Sequence, residues 1–351
     1  MDVKTVAPKD IEKELKALWE CLEGQGKMRS CLYNLIVCTK ASARVPYLRE
    51  IVQKTIDKFP SRILFVTVGG TSKITSKVSV LSSEKIACDL IEIELPEGQS
   101  EHILFFVLPH LIPDLPIYLL WAEDPCLKDP TACNLEGITT RIIFDSESSE
   151  NLSCFAKAAL EHQSSTMGDL NWARIEGWRV LLSSIFHSPS KLEALKNTKR
   201  IHITYNAHQT PYFVHTRIQA LYFQAWLATR LGWTFTSKED SERGMTLQYG
   251  DVSISIEPVD FEQIAPGRIV TIEMTSSNGE HTLLQRNPEL PHQIVIQHST
   301  KELCSLPTYF MFAKYESGQS LVNEICHHGS SSHYIQVLEL LASINHSGLP
   351  T

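Results

Sequence analysis

The chain has 351 residues, 43% of them hydrophobic and 21% charged, which is enough for two domains of an ordinary globular protein. Its formal net charge of -8, with no run of Lys and Arg, argues against nucleic acid as the main partner. No signal-like apolar segment opens the sequence, and the most apolar stretch, Ile103 to Leu108, is far shorter than the roughly 20 residues of a membrane span. We therefore expect a cytoplasmic protein with no membrane partner.

The first half alternates helices with buried strands. Apolar residues at helical spacing predict helices over 8–23, 43–58, 101–111 and 148–162. Continuous or alternating apolar runs predict strands over 31–39, 63–68, 77–81, 86–95, 117–121 and 141–144. This order favours a mostly parallel mixed sheet with right-handed crossovers.

A polar stretch over 163–168 suggests a boundary, giving an N-terminal α/β domain over 1–165 and a second domain over 166–351. The second domain begins with predicted helices over 171–186 and 212–231 around a strand at 200–205. Strands follow at 244–249, 251–257, 268–275 and 281–286, and Val295 is expected in a further strand. Helices over 318–326 and 331–344 end the pattern. The fold class is therefore α/β, with a C-terminal domain that is α+β or α/β and contains antiparallel hairpins.

Signatures of catalysis are missing from the sequence. It contains no GxxxxGK[ST], no GxGxxG after a strand, no HExxH and no GxSxG. We therefore predict no catalytic residue, no metal ligand and no cofactor. Cys126 and Cys133 flank a loop in which they are able to pair, but sequence does not establish their geometry.

Four ordered segments resemble the family of glucose-6-phosphate dehydrogenase assembly proteins called OpcA. Phe59-Pro60-Ser61-Arg62 stands where the family usually has His-Pro-Ser-Arg, and Leu120-Trp121 stands where it has paired tryptophans. The segments are Lys27 to Val37, Phe59 to Arg62, Leu108 to Trp121, and Asp169-Leu170-Asn171-Trp172-Ala173-Arg174 with Gly177-Trp178-Arg179.

The resemblance implies a non-catalytic partner of glucose-6-phosphate dehydrogenase that promotes its assembly or allosteric activation at the entry to the oxidative pentose phosphate pathway. An enzyme or binding protein for a sugar phosphate or nucleotide, with a pocket that no motif reveals, is the alternative. A scaffold for another partner is a third possibility. In some relatives the effect is thought to respond to thiol state, for which Cys126 and Cys133 are the candidates here.

The motif residues with a partner-binding or structural role are Arg29, Arg62, Asp114, Trp121, Trp172, Arg174, Trp178 and Arg179. Arg29, Arg62 and Asp114 each precede a predicted strand, which places them at the amino edge of a parallel sheet. Ligand pockets usually lie at the opposite edge, so this group is poorly placed for catalysis. Either Asp114 pairs with Arg62 or Arg29 and fixes the Pro-rich turn, or the three residues form a docking surface.

Overall fold

The computed structural model describes residues 3–22, 28–56, 58–82, 86–127, 130–162, 166–212, 215–313, 318–327 and 329–344. Its strands are β1 (Lys4–Val6), β2 (Met28–Arg29), β3 (Asn34–Lys40), β4 (Arg62–Val68), β5 (Thr75–Ser82), β6 (Ile86–Leu95), β7 (Ile117–Trp121), β8 (Arg141–Phe144), β9 (Thr166–Asp169), β10 (Thr198–Asn206), β11 (Phe235–Ser241), β12 (Gly244–Tyr249), β13 (Val252–Val259), β14 (Ile269–Ser276), β15 (His281–Arg286), β16 (Gln293–Ser299) and β17 (Thr308–Met311). Its α-helices are α1 (Ile11–Leu22), α2 (Val45–Gln53), α3 (Ile103–Val107), α4 (Pro130–Glu136), α5 (Leu152–Glu161), α6 (Leu170–Arg174), α7 (Glu176–Ile185), α8 (Pro189–Lys196), α9 (Ile218–Leu231), α10 (Gln319–Cys326) and α11 (Ser332–Ile344).

The chain forms two compact units, each assembled from three segments. The first unit contains residues 1–149, 161–170 and 316–331, and the second contains 150–160, 171–315 and 332–351. The chain therefore passes between the units several times. The single boundary at 165/166 stays a prediction about domain limits.

The sheet of the first unit has the order β1-β5-β6-β4-β3-β7-β8-β9, with β2 beside β6. Strands β6, β4, β3, β7, β8 and β9 are all parallel. Strand β5 pairs antiparallel with β6, and β1 pairs antiparallel with β5. When the six parallel strands are numbered in chain order, their spatial order is 3-2-1-4-5-6, which is that of the doubly wound dinucleotide-binding fold. The strand order reverses between β3 and β7: β4 and β6 lie on one side of β3, and β7, β8 and β9 lie on the other.

Burial on both faces explains why the central strands are continuously apolar. Leu35, Val37, Ile63 and Phe65 lie in one core cluster with the apolar side chains of α2. A parallel strand covered on both faces needs such a run, whereas a strand with one wet face would alternate.

The polar stretch over 163–168 includes the first residues of strand β9, which pairs in parallel with β8. Residues 163–165 lie outside the described residues. Position 168 requires glycine, because a Cβ there would lie 1.9 Å from Glu324 Oε2 and 2.6 Å from Arg141 Nη2. Arg141 Nη2 donates to Glu324 Oε2 at 2.6 Å, and both side chains are buried. A small, polar strand built around an ion pair gives no apolar pattern for sequence to detect.

The sheet of the second unit has the order β11-β12-β13-β10-β14-β15-β16-β17. Its neighbours pair antiparallel except β10 and β13, which are parallel. Alternate residues of β13 and β14 are buried, so one face of the sheet adjoins the core that includes α9 and α11. The expected fold class, α/β with a mostly parallel first sheet and antiparallel hairpins in the second, is confirmed.

The sequence pattern did not predict two strands of this sheet. Both β11 and β17 lie at sheet edges and expose most of their side chains. Edge strands lack the second neighbour that produces strong apolar alternation. Across the part of the chain that the structure describes, none of the helices combines the length and apolarity needed to cross a membrane.

Candidate functional site

Arg62 is the centre of a charged cluster at the amino edge of the first sheet. It begins β4, its side chain is buried, and its Nε and Nη2 donate to Asp89 Oδ2 at 3.0 and 2.8 Å. Its Nη1 donates to the carbonyl oxygen of His110 at 3.0 Å and to Glu12 Oε1 at 3.1 Å. These contacts connect β4, β6, α1 and the segment before β7.

Arg29 reaches the same carboxylate from the surface. Its Nη2 donates to Asp89 Oδ2 at 2.8 Å, and its guanidinium lies 4.9 Å from the centre of the Trp19 ring. Trp19 Nε1 donates to Asp89 Oδ1 at 2.6 Å. Burial raises the pKa of Asp89, but the hydrogen bond from Arg29, the charge of Arg62 and the bond from Trp19 outweigh it and the net pKa is lowered. Asp89 is therefore an ionised, buried anion shared by two arginines.

Glu12 and His110 complete this amino-edge cluster, which we define as Glu12, Trp19, Arg29, Arg62, Asp89 and His110. His110 Nδ1 lies 3.0 Å from Glu12 Oε1. The hydrogen bond with His110 lowers the pKa of Glu12, burial partly opposes it, and the charge of Arg62 lowers the pKa further. The cluster ties helix α1 to the sheet.

The predicted pairing of Asp114 with Arg62 or Arg29 is wrong, because Asp89 and Glu12 take that place. Asp114 is exposed in the Pro-rich turn and has a φ of 65°. The turn is held instead by Asn34, which is fully buried at the start of β3. Its Nδ2 donates to the carbonyl oxygen of Ile112 at 3.0 Å, and its Oδ1 accepts from the Ile112 N–H at 2.8 Å. Asn34 lies within a family motif but is not among the predicted site residues; its only sequence signal is a polar residue at the start of an apolar run.

Trp121 and the two cysteine candidates have different settings. Trp121 ends β7 with 2% of its surface exposed, so it packs in the core. Cys126 is disulfide-bonded, and so is Cys154. Cys133 lies on α4, and its side chain is outside the described residues, so the pairing of Cys126 with Cys133 stays a prediction.

In the second unit, Trp172 and Arg179 form a stacked pair. The guanidinium of Arg179 lies 3.7 Å from the centre of the Trp172 ring, and its Nη2 donates to the Trp172 carbonyl at 3.3 Å. The ring of Tyr334 lies 5.5 Å from that of Trp172. Arg174 Nη1 donates to Asn171 Oδ1 at 2.9 Å, one turn back. These motif residues fix the turn between α6 and α7.

Trp178 belongs to another buried group in the second unit. Its ring meets Phe312 edge-on at 5.2 Å, and the guanidinium of Arg286 lies 5.5 Å from it. Arg286 donates from Nε to the Ile269 carbonyl at 3.1 Å. Burial, followed by the charge of Arg268, lowers the pKa of Arg286 to about 9. Trp172 and Trp178 are therefore buried packing residues.

The carboxyl edge of the first sheet is where a doubly wound fold binds a dinucleotide, in the crevice at the reversal between β3 and β7. Here Glu123, just after β7, points its Oε1 at the loop after β3. That oxygen accepts from the Lys40 N–H at 2.7 Å and from Thr39 Oγ1 at 2.9 Å. Arg44, just before α2, donates to the buried Asp145 that follows β8. The Glu123 carboxylate thus binds a backbone N–H near the place where this fold binds a phosphate, and Asp145 is paired with Arg44.

The loops at this edge also differ from a dinucleotide site. The loop after β3 reads Ala41-Ser42-Ala43-Arg44, without the glycines that let a backbone approach a pyrophosphate. The end of β4, where an acidic residue would bind a ribose, carries Gly69 and Gly70. A Cβ on Gly70 would lie 2.8 Å from that of Ala41, so the two loops pack against each other. The residues present do not fit a nicotinamide dinucleotide.

The fold places the protein in the class of two-unit α/β proteins whose first sheet is doubly wound. Solved structures of this class include a dehydrogenase from Chromobacterium violaceum, 11% identical with a TM-score of 0.50, covering 90% of this chain and 95% of that one. They also include levoglucosan dehydrogenase with NADH and L-sorbose, 10% identical with a TM-score of 0.52, covering 88% and 97%. At such identities the likeness shows the fold alone.

Family models identify the chain more narrowly. The model described as the glucose-6-phosphate dehydrogenase subunit N-terminal domain matches residues 53–160, and that of the C-terminal domain matches residues 165–334. The chain belongs to the OpcA family of glucose-6-phosphate dehydrogenase assembly proteins.

Curated relatives agree with this family. The chain is 26% identical over 240 residues to an OpcA of Synechococcus elongatus, covering 62% of this chain and 52% of that protein. It is 29% identical over 202 residues to an OpcA of Nostoc punctiforme, covering 53% and 42%. Both relatives are named as proteins of the OxPP cycle. The matches span about half of the relatives' length or less.

Proposed function

We propose that this protein is a non-catalytic partner of glucose-6-phosphate dehydrogenase that promotes its assembly or allosteric activation. The observation that carries the proposal is the match of both family domains, over residues 53–160 and 165–334. The names of the relatives support a role at the entry to the oxidative pentose phosphate pathway.

The carboxyl edge of the first sheet supports a role other than catalysis by that sheet. The Glu123 carboxylate accepts from a backbone N–H at the end of β3, near the place where a dinucleotide enzyme presents N–H groups to phosphate. Such a protein acts on a dehydrogenase only by binding one of its states more tightly than another.

The surface around Arg29 is the contact that we propose for the dehydrogenase. Arg29 keeps 49% of its side chain exposed although one nitrogen binds Asp89. Met28 and Leu32, on either side in sequence, are 66% and 52% exposed. An arginine held in place beside exposed apolar side chains is the composition that binding hot spots favour. Arg62 is buried and supports this surface from below.

Titration of the purified protein into the purified dehydrogenase tests the function. We expect no oxidation of glucose 6-phosphate by the protein alone, and a higher rate at limiting substrate or a larger oligomeric fraction of the dehydrogenase in its presence. Light scattering and initial rates on the same samples separate assembly from activation. Unchanged rate, KM and oligomer size across the titration would contradict the proposal.

The response to thiol state remains a prediction that rests on the family resemblance. Cys126→Ser and Cys133→Ser, assayed with the dehydrogenase under oxidising and reducing conditions, test it. An oxidant response that both variants retain excludes this pair as the switch.

A further inference from the structure

The second unit contains a cavity of about 320 Å³ that no motif indicated. It lies among the starts of α5 and α9, strands β11 and β12, and the end of α11. Its apolar lining residues are Leu152, Leu221, Met245, Leu341 and Ile344. Its polar or charged lining residues are Glu150, Asn151, Ser153, His215, Arg217, Lys238 and Asp240. A concave site that combines apolar side chains with convergent polar groups is the usual form of a small-molecule site.

His215 is a lining residue with a buried ring nitrogen. Its Nδ1 is buried and has no hydrogen-bond partner among the residues that the structure describes. Buried polar atoms are nearly always bonded, because leaving one unpaired costs its hydration. Burial first, and then the charge of Arg217, lower the pKa of His215 to about 4; a hydrogen bond with its own backbone partly opposes them, and the charge of Lys238 lowers the pKa further. The imidazole is neutral at pH 7, and the charges that act on it are positive.

Arg217, just before α9, and Lys238, in β11, supply that positive charge. Arg217 is positioned by its Nε, which donates to Tyr205 Oη at 3.3 Å. Its Nη1 is 4.0 Å from Asp240 Oδ1, beyond hydrogen-bond distance. Lys238 Nζ lies 2.9 Å from Asp240 Oδ2. Asp240 therefore engages mainly Lys238, and the Nη groups of Arg217 keep donors for an incoming acceptor.

Two carboxylates also line the cavity and limit what it accepts. Glu150 is exposed, and Asp240 keeps 49% of its side chain accessible, so water screens both. Neither is among the groups that shift the pKa of His215. The charges that act on His215 are therefore those of Arg217 and Lys238.

We propose that this cavity binds a small organic anion, whose terminal phosphate or carboxylate group is held by Arg217, Lys238 and the Nδ1–H of His215. The remainder of the molecule packs on Leu221, Met245 and Ile344. Guanidinium binds both oxyanions through paired hydrogen bonds, so the two ligand classes share this chemistry. The site does not depend on the proposed dehydrogenase partner.

Calorimetry on the purified full chain tests the site with three probes. Glucose 6-phosphate represents phosphate esters, 2-oxoglutarate represents carboxylates, and glucose is the uncharged control. We expect saturable heat with at least one of the anions and none with glucose. Arg217→Gln should weaken that binding about tenfold or more, because a charge-assisted pair is lost. Arg243→Gln, in the exposed turn between β11 and β12 and outside the cavity wall, should bind like the wild type.

A second measurement follows His215 itself by NMR. A bound oxyanion should raise the pKa of His215 from about 4, and the Arg217→Gln variant should lose that response. Failure of both anions to bind the wild type would overturn the proposal, as would equal binding by Arg217→Gln. A dehydrogenase titration without effect, combined with anion binding here, would refute the proposed function and leave this site standing.

Discussion

Arg62 binds Asp89 through two nitrogens, its Nε and Nη2 donating to the same oxygen at 3.0 and 2.8 Å. Both side chains are buried, and the same oxygen accepts from Arg29 at 2.8 Å. Removal of one partner from a buried pair strands the other charge, which costs more than the pair itself contributes. The amino-edge cluster is therefore sensitive to any single loss.

Arg62→Ala should destabilise the protein strongly, by about 3–5 kcal/mol in the free energy of unfolding, because Asp89 would lose its buried partner. Arg29→Ala is the matched control, since its side chain is half exposed and we expect a loss of about 1 kcal/mol or less. Urea denaturation of the two variants measures both values. Equal, small losses would show that Asp89 is satisfied by Arg29 alone.

The amino-edge cluster should also make stability depend on acid. The folded pKa values of Asp89 and Glu12 lie below their ordinary values of 3.8 and 4.5. A carboxyl with a lowered folded pKa contributes stability above its unfolded pKa and loses it as pH falls through the folded value. We expect urea midpoints to fall below roughly pH 4.5. Asp89→Asn, less stable at pH 7, should show a shallower fall, and parallel curves would contradict this assignment.

Asn34 gives a separate test of how the Pro-rich turn is held. Asn34→Ala removes both hydrogen bonds to Ile112 in a buried site, so we expect a loss of about 2–3 kcal/mol. Asp114→Asn is the control, because asparagine tolerates the positive φ and removes only the charge; we expect a change within about 0.5 kcal/mol. A large loss from Asp114→Asn would restore the ionic role that sequence assigned to Asp114. Thermal unfolding measured in parallel ranks the two variants.

Sequence alone was able to predict the central strands, because β3 and β4 are covered on both faces and need unbroken apolar runs. It also placed Arg62 at the amino edge, since its position before a strand follows from the pattern. It did not identify Asp89 as the partner, because Asp89 lies within β6, 27 residues from Arg62, where strand order alone brings them together. Likewise His215 and Arg217 precede α9, whereas Lys238 lies in β11, so no sequence spacing records that the three residues line one cavity.

The carboxyl edge leads to a prediction about coenzyme binding. We expect no change in NADPH fluorescence on addition of the protein, because Glu123 binds the Lys40 N–H and no glycine loop follows β3. Glu123→Ala should also leave the fluorescence unchanged, since it does not supply the glycines. Glucose-6-phosphate dehydrogenase serves as the positive control. Saturable quenching by the wild type would support the alternative of an enzyme or nucleotide-binding protein.

The proposed contact surface makes a prediction that separates binding from stability. Met28→Asp puts a charge on a side chain that is 66% exposed beside Arg29, so it should leave the melting temperature nearly unchanged and weaken dehydrogenase binding at least tenfold. Val180→Asp is the matched control, because Val180 is 53% exposed on α7 in the other unit and should bind normally.

Arg62→Ala should weaken binding only to the extent that it unfolds the protein. Surface plasmon resonance against immobilised dehydrogenase, with circular dichroism melts of the same preparations, distinguishes these outcomes. If Met28→Asp binds like the wild type while Val180→Asp does not, the contact lies on the second unit and the assignment to the amino edge is wrong.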